Sequence, residues 1–215
     1  MNKISFWFRN SRPISLPQSM LPALTAVALS AGTGNFSWIA AVVCVIGVMF
    51  AHLGMNLLDD WFDYYKGSGE ARKKAANEGF RGRMTKYPYL TSGEATPKQL
   101  LVAVCVFLGI AAVMGCIVLA IRGWMIFWWM LAGFIIGFSY SGGPLKLGFR
   151  GLGELVIFVM FGPLMMTGVY YAITGEVTPK IAWLSTSVGL LVTNIVYTHS
   201  VLDAVPDQKM GKFTM

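Results

Sequence analysis

Six stretches of the chain run apolar and almost free of charge, at about residues 14–34, 37–58, 99–121, 124–140, 152–174 and 181–202. Each approaches the ~20 residues that a helix needs to cross a bilayer. What separates them is short or polar: a lead at 1–13, a polar segment at 59–98, a tight Arg122-Gly123 connection, a loop at 141–151 and a turn from Gly175 to Lys180. The pattern predicts an all-α fold, a polytopic transmembrane helical bundle of six spans forming one domain over 1–215. The lead carries Phe6, Trp7 and Phe8 beside Lys3, Arg9 and Arg12, which suits a segment lying in the membrane interface. Pro22 should kink the first span, and Pro206 argues against a regular helix continuing past Asp203.

Composition agrees with a membrane chain: 55% of residues are hydrophobic, 13% are charged and the mean hydropathy is +0.60, where a soluble domain carries about twice that share of charge. The net charge of +7 does not point to nucleic acid, because the basic residues lie between the apolar runs. With six spans, 15 of the 17 Lys and Arg fall on one side, and Arg122 and Lys180 on the other. The positive-inside rule then makes the N-terminus, the 59–98 loop and the 141–151 loop cytoplasmic, in a multi-pass protein of the cell's inner (plasma) membrane. Cys44, Cys105 and Cys116 sit within apolar runs and read as small apolar fillers. The N-terminus lacks the short apolar region and small-residue cleavage site of a signal peptide.

The candidate chemistry is acidic. Asp59, Asp60 and Asp63 follow the second apolar run, with Asn56 one helical turn before Asp60, so all four can crowd one side of a helix end. Asp203 and Asp207, the other two of the protein's five aspartates, end the sixth run on the same predicted side. Carboxylates this close repel one another unless a cation sits among them. Oxygen-only ligands suit Mg²⁺ better than Zn²⁺. Two acidic patches with basic neighbours suggest a metal-bridged diphosphate, and Asp59-Asp60-Trp61-Phe62-Asp63 reads as DDxxD, a spacing used for prenyl diphosphates. Taken alone, the pentapeptide is equally a solvated acidic helix end.

Arg72, Lys73 and Lys74 follow the first patch most closely and are the better diphosphate candidates. The other basic residues of the 59–98 segment read as topology determinants and headgroup contacts. His52 reads as a packed, hydrogen-bonded side chain, and His199, one turn before Asp203, as a candidate cavity residue. Tyr140, where the fourth helix breaks, either turns its ring to a cation or anchors the interface. Glu154 suits a helix start and a structural role. The aromatics from Trp124 to Trp129 read as an interfacial belt or the wall of an apolar groove.

These motifs together resemble the UbiA superfamily of intramembrane aromatic prenyltransferases. Its first motif, N-x-x-N/D-D-x-x-D, is matched by Asn56, Asp59, Asp60 and Asp63. Its second, D-x-x-x-D followed by G-K-x-T, is matched by Asp203, Asp207, Gly211, Lys212 and Thr214. The stretch from Tyr140 through Ser-Gly-Gly-Pro to Glu154, continuing to Phe161-Gly162-Pro163, and the opening Arg12 to Pro17 are similar to the branch that prenylates 1,4-dihydroxy-2-naphthoate on the way to menaquinone. Tyr140 and Lys146 stand where the superfamily has Tyr-x-x-x-Lys, here stretched.

The resemblance implies a family fold of about nine spans, of which this chain would hold six and end incomplete. It implies a Mg²⁺-dependent transfer from a polyprenyl diphosphate to an aromatic acceptor. The metal would be held by Asn56, Asp59, Asp60, Asp63, Asp203 and Asp207, with Asp60, Asp63, Asp203 and Asp207 as the catalytic set. Asn56, Arg72, Lys73, Tyr140, Lys146, His199 and Lys212 would contact substrate. Competing readings are a relative that uses a hydroxybenzoate or a lipid acceptor, an inactive scaffold, and a cation transporter. Transporters place ionisable groups at mid-membrane, whereas these aspartates fall at span ends.

Overall fold

The computed structural model describes residues 2–65, 87–142 and 145–209, with Ser141, His199 and residues 202–209 by backbone alone. Over these residues it is all-helical: α1 (Lys3–Asn10), a 3₁₀ turn (Pro13–Ser15), α2 (Pro17–Ser30), α3 (Trp38–Tyr65), α4 (Pro88–Thr91), α5 (Pro97–Arg122), α6 (Met125–Ser141), a second 3₁₀ turn (Leu147–Phe149), α7 (Gly153–Thr174) and α8 (Pro179–Lys209). Local chemistry sets several boundaries. Thr96 and Gln99 form a reciprocal capping box with Pro97 at the first helical position of α5. Gly123, at φ 79°, ends that helix, and Gly175, at φ 83°, ends α7, both in the left-handed region that favours glycine. Midway along α7 the turn Met160–Leu164 widens to π geometry around Pro163, which cannot donate to the preceding turn.

Two boundaries depart from the sequence pattern. Helix α3 does not stop at residue 58 but continues through the acidic motif to Tyr65. Charges end an apolar run, but neither Asp nor the aromatics after it break a helix. Helix α8 likewise continues through Pro206 to Lys209. Pro206 removes a single backbone donor, a local loss that a helix of 31 residues tolerates.

Among the described residues four helices are long and apolar enough to cross a membrane: α3, α5, α7 and the Pro179–Thr198 part of α8. Two expected spans are shorter. Helix α2 has 14 residues, about 21 Å, and α6 has 17, about 26 Å, against a hydrocarbon core of about 30 Å.

Packing follows small residues. Gly54 of α3 lies against Phe107 and Leu108 of α5, and Gly47 against Met114, so the two helices run antiparallel at close approach. Leu53, Leu57, Leu100, Val104 and Phe107 fill that seam, with Tyr89 and Leu90 of α4 at its end. A second core joins Ala23 and Ala26 of α2, Ala40 of α3, Met166, Val169 and Ile173 of α7 and Ile181 of α8. Gly162 of α7 meets Ser185 and Gly189 of α8 backbone to backbone. Outward, α5 exposes Val102, Val106 and Val113 and α8 exposes Leu190 and Leu191, the apolar exterior expected where lipid is the solvent. Trp124 and Trp128 are exposed, whereas Trp129 turns inward, stacks on Tyr171 and donates to Thr167 Oγ1.

The chain reversals sort the bundle into two ends. Met55 and Phe62 of α3 meet Gly137 of α6 and Gly142 just after it, so these helices run parallel, while Gly168 of α7 meets Trp129 of α6 on the return. One end therefore carries α1, the end of α3, α4, the end of α6, the start of α7 and the end of α8. At the other, Arg122 donates from Nε to the Ala172 carbonyl at 2.7 Å, and from Nη2 to the Ile173 and Asn35 carbonyls. One guanidinium thus joins α5, the C-terminus of α7 and the 31–37 loop.

Candidate active site at the end of α3

The last two turns of α3 bring Asn56, Asp59, Asp60 and Asp63 to the end of the bundle defined above. Asp60 is 0% and Asp63 4% exposed; Asp59 is about one-fifth exposed. A carboxylate loses its hydration at such burial and must be met by cations or donors. Arg12 and Tyr89 each meet a different oxygen of Asp60. Arg12 Nη2 lies 3.1 Å from Asp60 Oδ1 and 3.3 Å from Asp59 Oδ2, while the Tyr89 hydroxyl donates to Asp60 Oδ2 at 2.9 Å. Tyr87 donates from its hydroxyl to the Asp63 carbonyl oxygen at 3.1 Å.

Arg12 is held there by a strained turn. Its backbone is left-handed (φ 61°, ψ 57°), a conformation costing roughly 1–2 kcal/mol for a residue with a Cβ. The guanidinium also donates from Nη2 to the Asn56 carbonyl at 2.7 Å. Asn56 Nδ2 returns the contact, donating to the Ser11 carbonyl at 3.0 Å and to Ser15 Oγ at 2.9 Å. Ser15 spends its hydroxyl hydrogen on the Arg12 carbonyl at 2.8 Å. His52 joins the two serines, with Nε2 3.0 Å from Ser15 Oγ and Nδ1 2.7 Å from Ser19 Oγ, whose hydroxyl also donates to the Leu16 carbonyl at 3.2 Å. His52 is the packed, hydrogen-bonded side chain expected of it.

Electrostatics follow this geometry. Burial works against the charge of Arg12, but Asp60 and then Asp59 outweigh it and hold its pKa above the ordinary guanidinium value. Burial, and then the charge of Asp60 and the bond to it, raise the pKa of Tyr89 well above the usual phenol range. Tyr89 thus remains a neutral donor to a charged acceptor. An aromatic cluster roofs the pair: Trp7 and Phe6 of α1 meet the Tyr89 ring edge-on at 5.8 and 6.1 Å.

On the other flank Phe62 packs edge-on against Phe138 at 5.4 Å. Phe62 also fills the space where a Cβ at Gly142 would stand, which makes Gly142 a requirement of close approach. The Tyr140 ring rests on Gly148 and Gly153. Lys146 is exposed in the loop that follows, with a left-handed backbone. Glu154 is buried in the first turn of α7.

The structure places Asn56, Asp59, Asp60 and Asp63 on the last turns of α3, with Arg12 bridging Asp59 and Asp60 and reaching the Asn56 carbonyl, Tyr89 on Asp60 and Tyr87 on the Asp63 carbonyl. Helix α8 ends at the same end of the bundle, with Asp203 and Asp207 one turn apart along it. The side chains of Asp203, Asp207 and His199, and all of Arg72, Lys73, Lys74 and Lys212, lie outside the described residues. Among the described residues no three acidic, His or Cys side chains converge as a metal centre. The donors on α3 are nevertheless of the type a hard divalent ion takes: two buried carboxylates and the amide oxygen of Asn56, whose nitrogen is already committed. They amount to part of a ligand set, needing completion by a second element or a substrate oxygen.

The profile of the UbiA prenyltransferase family matches residues 19–215. The chain belongs to that family. Among UbiA relatives, the 1,4-dihydroxy-2-naphthoate octaprenyltransferase of Escherichia coli (strain K12) is 26% identical over 220 residues, covering 100% of this chain and 68% of the relative. The enzyme of the same name from Bacillus subtilis (strain 168) is 22% identical over 205 residues, covering 95% of this chain and 63% of the relative. The chain thus spans about two-thirds of the length of these relatives. A solved UbiA homolog from Archaeoglobus fulgidus, bound to GPP and Mg²⁺, superposes with a TM-score of 0.69 at 19% identity, covering 96% of this chain and 66% of the homolog. That likeness establishes the UbiA fold for the described helices.

Proposed function

We propose that the protein transfers a polyprenyl group from a polyprenyl diphosphate to an aromatic acceptor, 1,4-dihydroxy-2-naphthoate, in menaquinone biosynthesis. The observation that carries this reading is the pair of buried carboxylates, Asp60 and Asp63, at the end of a membrane-length helix in a chain of the UbiA family. The 1,4-dihydroxy-2-naphthoate octaprenyltransferases among the relatives support the acceptor, and the solved homologs bound to Mg²⁺ with GPP or DMAPP support the donor side.

In this reading Asp60 and Asp63, with Asp203 and Asp207 from α8 and with Asn56 and Asp59, would hold Mg²⁺. Mg²⁺ would neutralise the leaving diphosphate and so favour ionisation of the allylic C–O bond. Arg72, Lys73, His199 and Lys212 are proposed contacts of the diphosphate end, and Tyr140 and Lys146 of the reacting end. Phe62 and Phe138 form an apolar wall beside the carboxylates, suited to keeping water from the allylic cation. The naphthoate ring attacks that cation, and its carboxylate leaves as CO₂. The bundle is read as six spans, with α2 and α6 as short ones, the N-terminus cytoplasmic, and the site opening toward the cytoplasm from the inner membrane.

The test uses membranes containing the protein, Mg²⁺, a radiolabelled polyprenyl diphosphate and either 1,4-dihydroxy-2-naphthoate or 4-hydroxybenzoate. A prenylated naphthoquinol is expected, lost on chelation and reduced at least about 100-fold in Asp60→Ala. Product with the benzoate alone would move the pathway. No product with either acceptor from folded protein would overturn the proposal.

A further inference from the structure

Asp60, placed at the centre of the proposed metal site, has both carboxylate oxygens engaged. Oδ2 accepts from Tyr89, and Oδ1 faces a guanidinium nitrogen at 3.1 Å that also reaches Asp59 at 3.3 Å. A divalent ion on those oxygens would stand within a few ångströms of a buried positive charge, in surroundings that screen it poorly. Ion and guanidinium cannot both keep this place at low energy. The turn that carries Arg12 is, moreover, under tension: a β-substituted residue in the left-handed region, two residues beyond α1, closed by the Ser15 hydroxyl on its carbonyl. Its hold on α3 includes the Arg12 bonds to the carboxylates and to the Asn56 carbonyl, and the Asn56 and His52 bonds to Ser11, Ser15 and Ser19.

We propose that Arg12 is a resident counter-ion of the acidic site, displaced when a divalent cation loads it, so that metal binding and release of the strained turn at residues 11–16 are one event. Until loading, Arg12 keeps Asp59 and Asp60 from repelling each other and so keeps α3 helical through its acidic turns. On loading, the metal takes over that charge, the guanidinium leaves Asp60 Oδ1, and the turn relaxes. The inference rests on the reading of the α3 carboxylates as a divalent-cation site, but not on the identity of donor or acceptor.

The test needs no turnover. Purified protein in detergent is titrated with Mg²⁺ alone and with Mg²⁺ plus inorganic diphosphate, and binding is followed calorimetrically. Amide exchange over residues 10–19 is read by mass spectrometry at each end point. Saturation with Mg²⁺ should speed exchange of the Ser15 and Leu16 amides, which the turn protects by bonds to the Arg12 and Pro13 carbonyls. Arg12→Gln, which keeps donors but not the charge, should bind Mg²⁺ about tenfold or more tightly, the scale on which a neighbouring like charge acts. Saturable Mg²⁺ binding with unchanged or slower exchange at residues 11–16 would overturn the displacement and leave the metal site standing. Absence of saturable binding in both titrations would overturn the metal site and the displacement together. The exchange measurement is made on the unaltered chain, so poor folding of Arg12→Gln does not remove the test.

Discussion

Tyr89 and Arg12 divide between them the task of keeping a fully buried carboxylate charged. Tyr89 reaches Asp60 from 29 residues away, as a neutral hydroxyl whose burial and acidic neighbour keep it protonated. Tyr89→Phe removes that donor at almost constant volume. It should destabilise the protein by about 1.5–3 kcal/mol, the range for a hydrogen bond to a charged group, seen as a lower melting temperature in detergent. An unchanged melting temperature would mean that Asp60 finds another donor there. Asn56, Asp59, Asp60 and Asp63 were legible because one helical period relates them. Arg12 and Tyr89 were not, because tertiary packing alone brings them to Asp60. Their faint signals were a lone Arg-Pro before an apolar run and a Tyr-Pro-Tyr within an otherwise basic segment. His52 was readable in kind, as a satisfied polar residue, though not in its partners, Ser15 and Ser19.

At the scale of the element, the hydrophobic pattern located every long helix among the described residues but misjudged how far two of them continue. Charge marks where a helix leaves an apolar environment, whereas backbone chemistry decides where it stops. Hence α3 carries its acidic motif on regular helix, and α8 passes through Pro206. The pattern also hid which glycines matter. Gly162 has Ser185 and Gly189 backbone against it, whereas Gly109 of α5 has nothing within 4 Å of an added Cβ. Gly162→Leu should therefore cost about 1–3 kcal/mol or more through overpacking. Gly109→Ala should be neutral or stabilise by up to about 1 kcal/mol, by helix propensity. Paired thermal melts in one detergent check the contrast; equal shifts would mean that α7 and α8 separate easily.

For the whole molecule, counting basic residues assigned Arg122 to the side away from the aspartates, and the helix packing places it at the opposite end of the bundle. Composition could not reveal that its guanidinium gathers three backbone carbonyls. Arg122→Met keeps the aliphatic stem and removes those donors, leaving carbonyls at the C-terminus of α7 without their charged partner. It should lower stability by about 1–3 kcal/mol. Arg122→Lys should recover only part of this, since a single ammonium cannot reproduce the fork; full rescue by Lys would count against the three-way contact. Helix count was the least legible property, because α2 and α6 are apolar but shorter than a bilayer is thick. Arg122 has a mechanical consequence as well. Rods pinned together at one tip splay most at the other. A small change of tilt between α5 and α7, negligible at the Arg122 fastening, therefore becomes its largest displacement at the end where Arg12, Tyr89 and the α3 carboxylates meet.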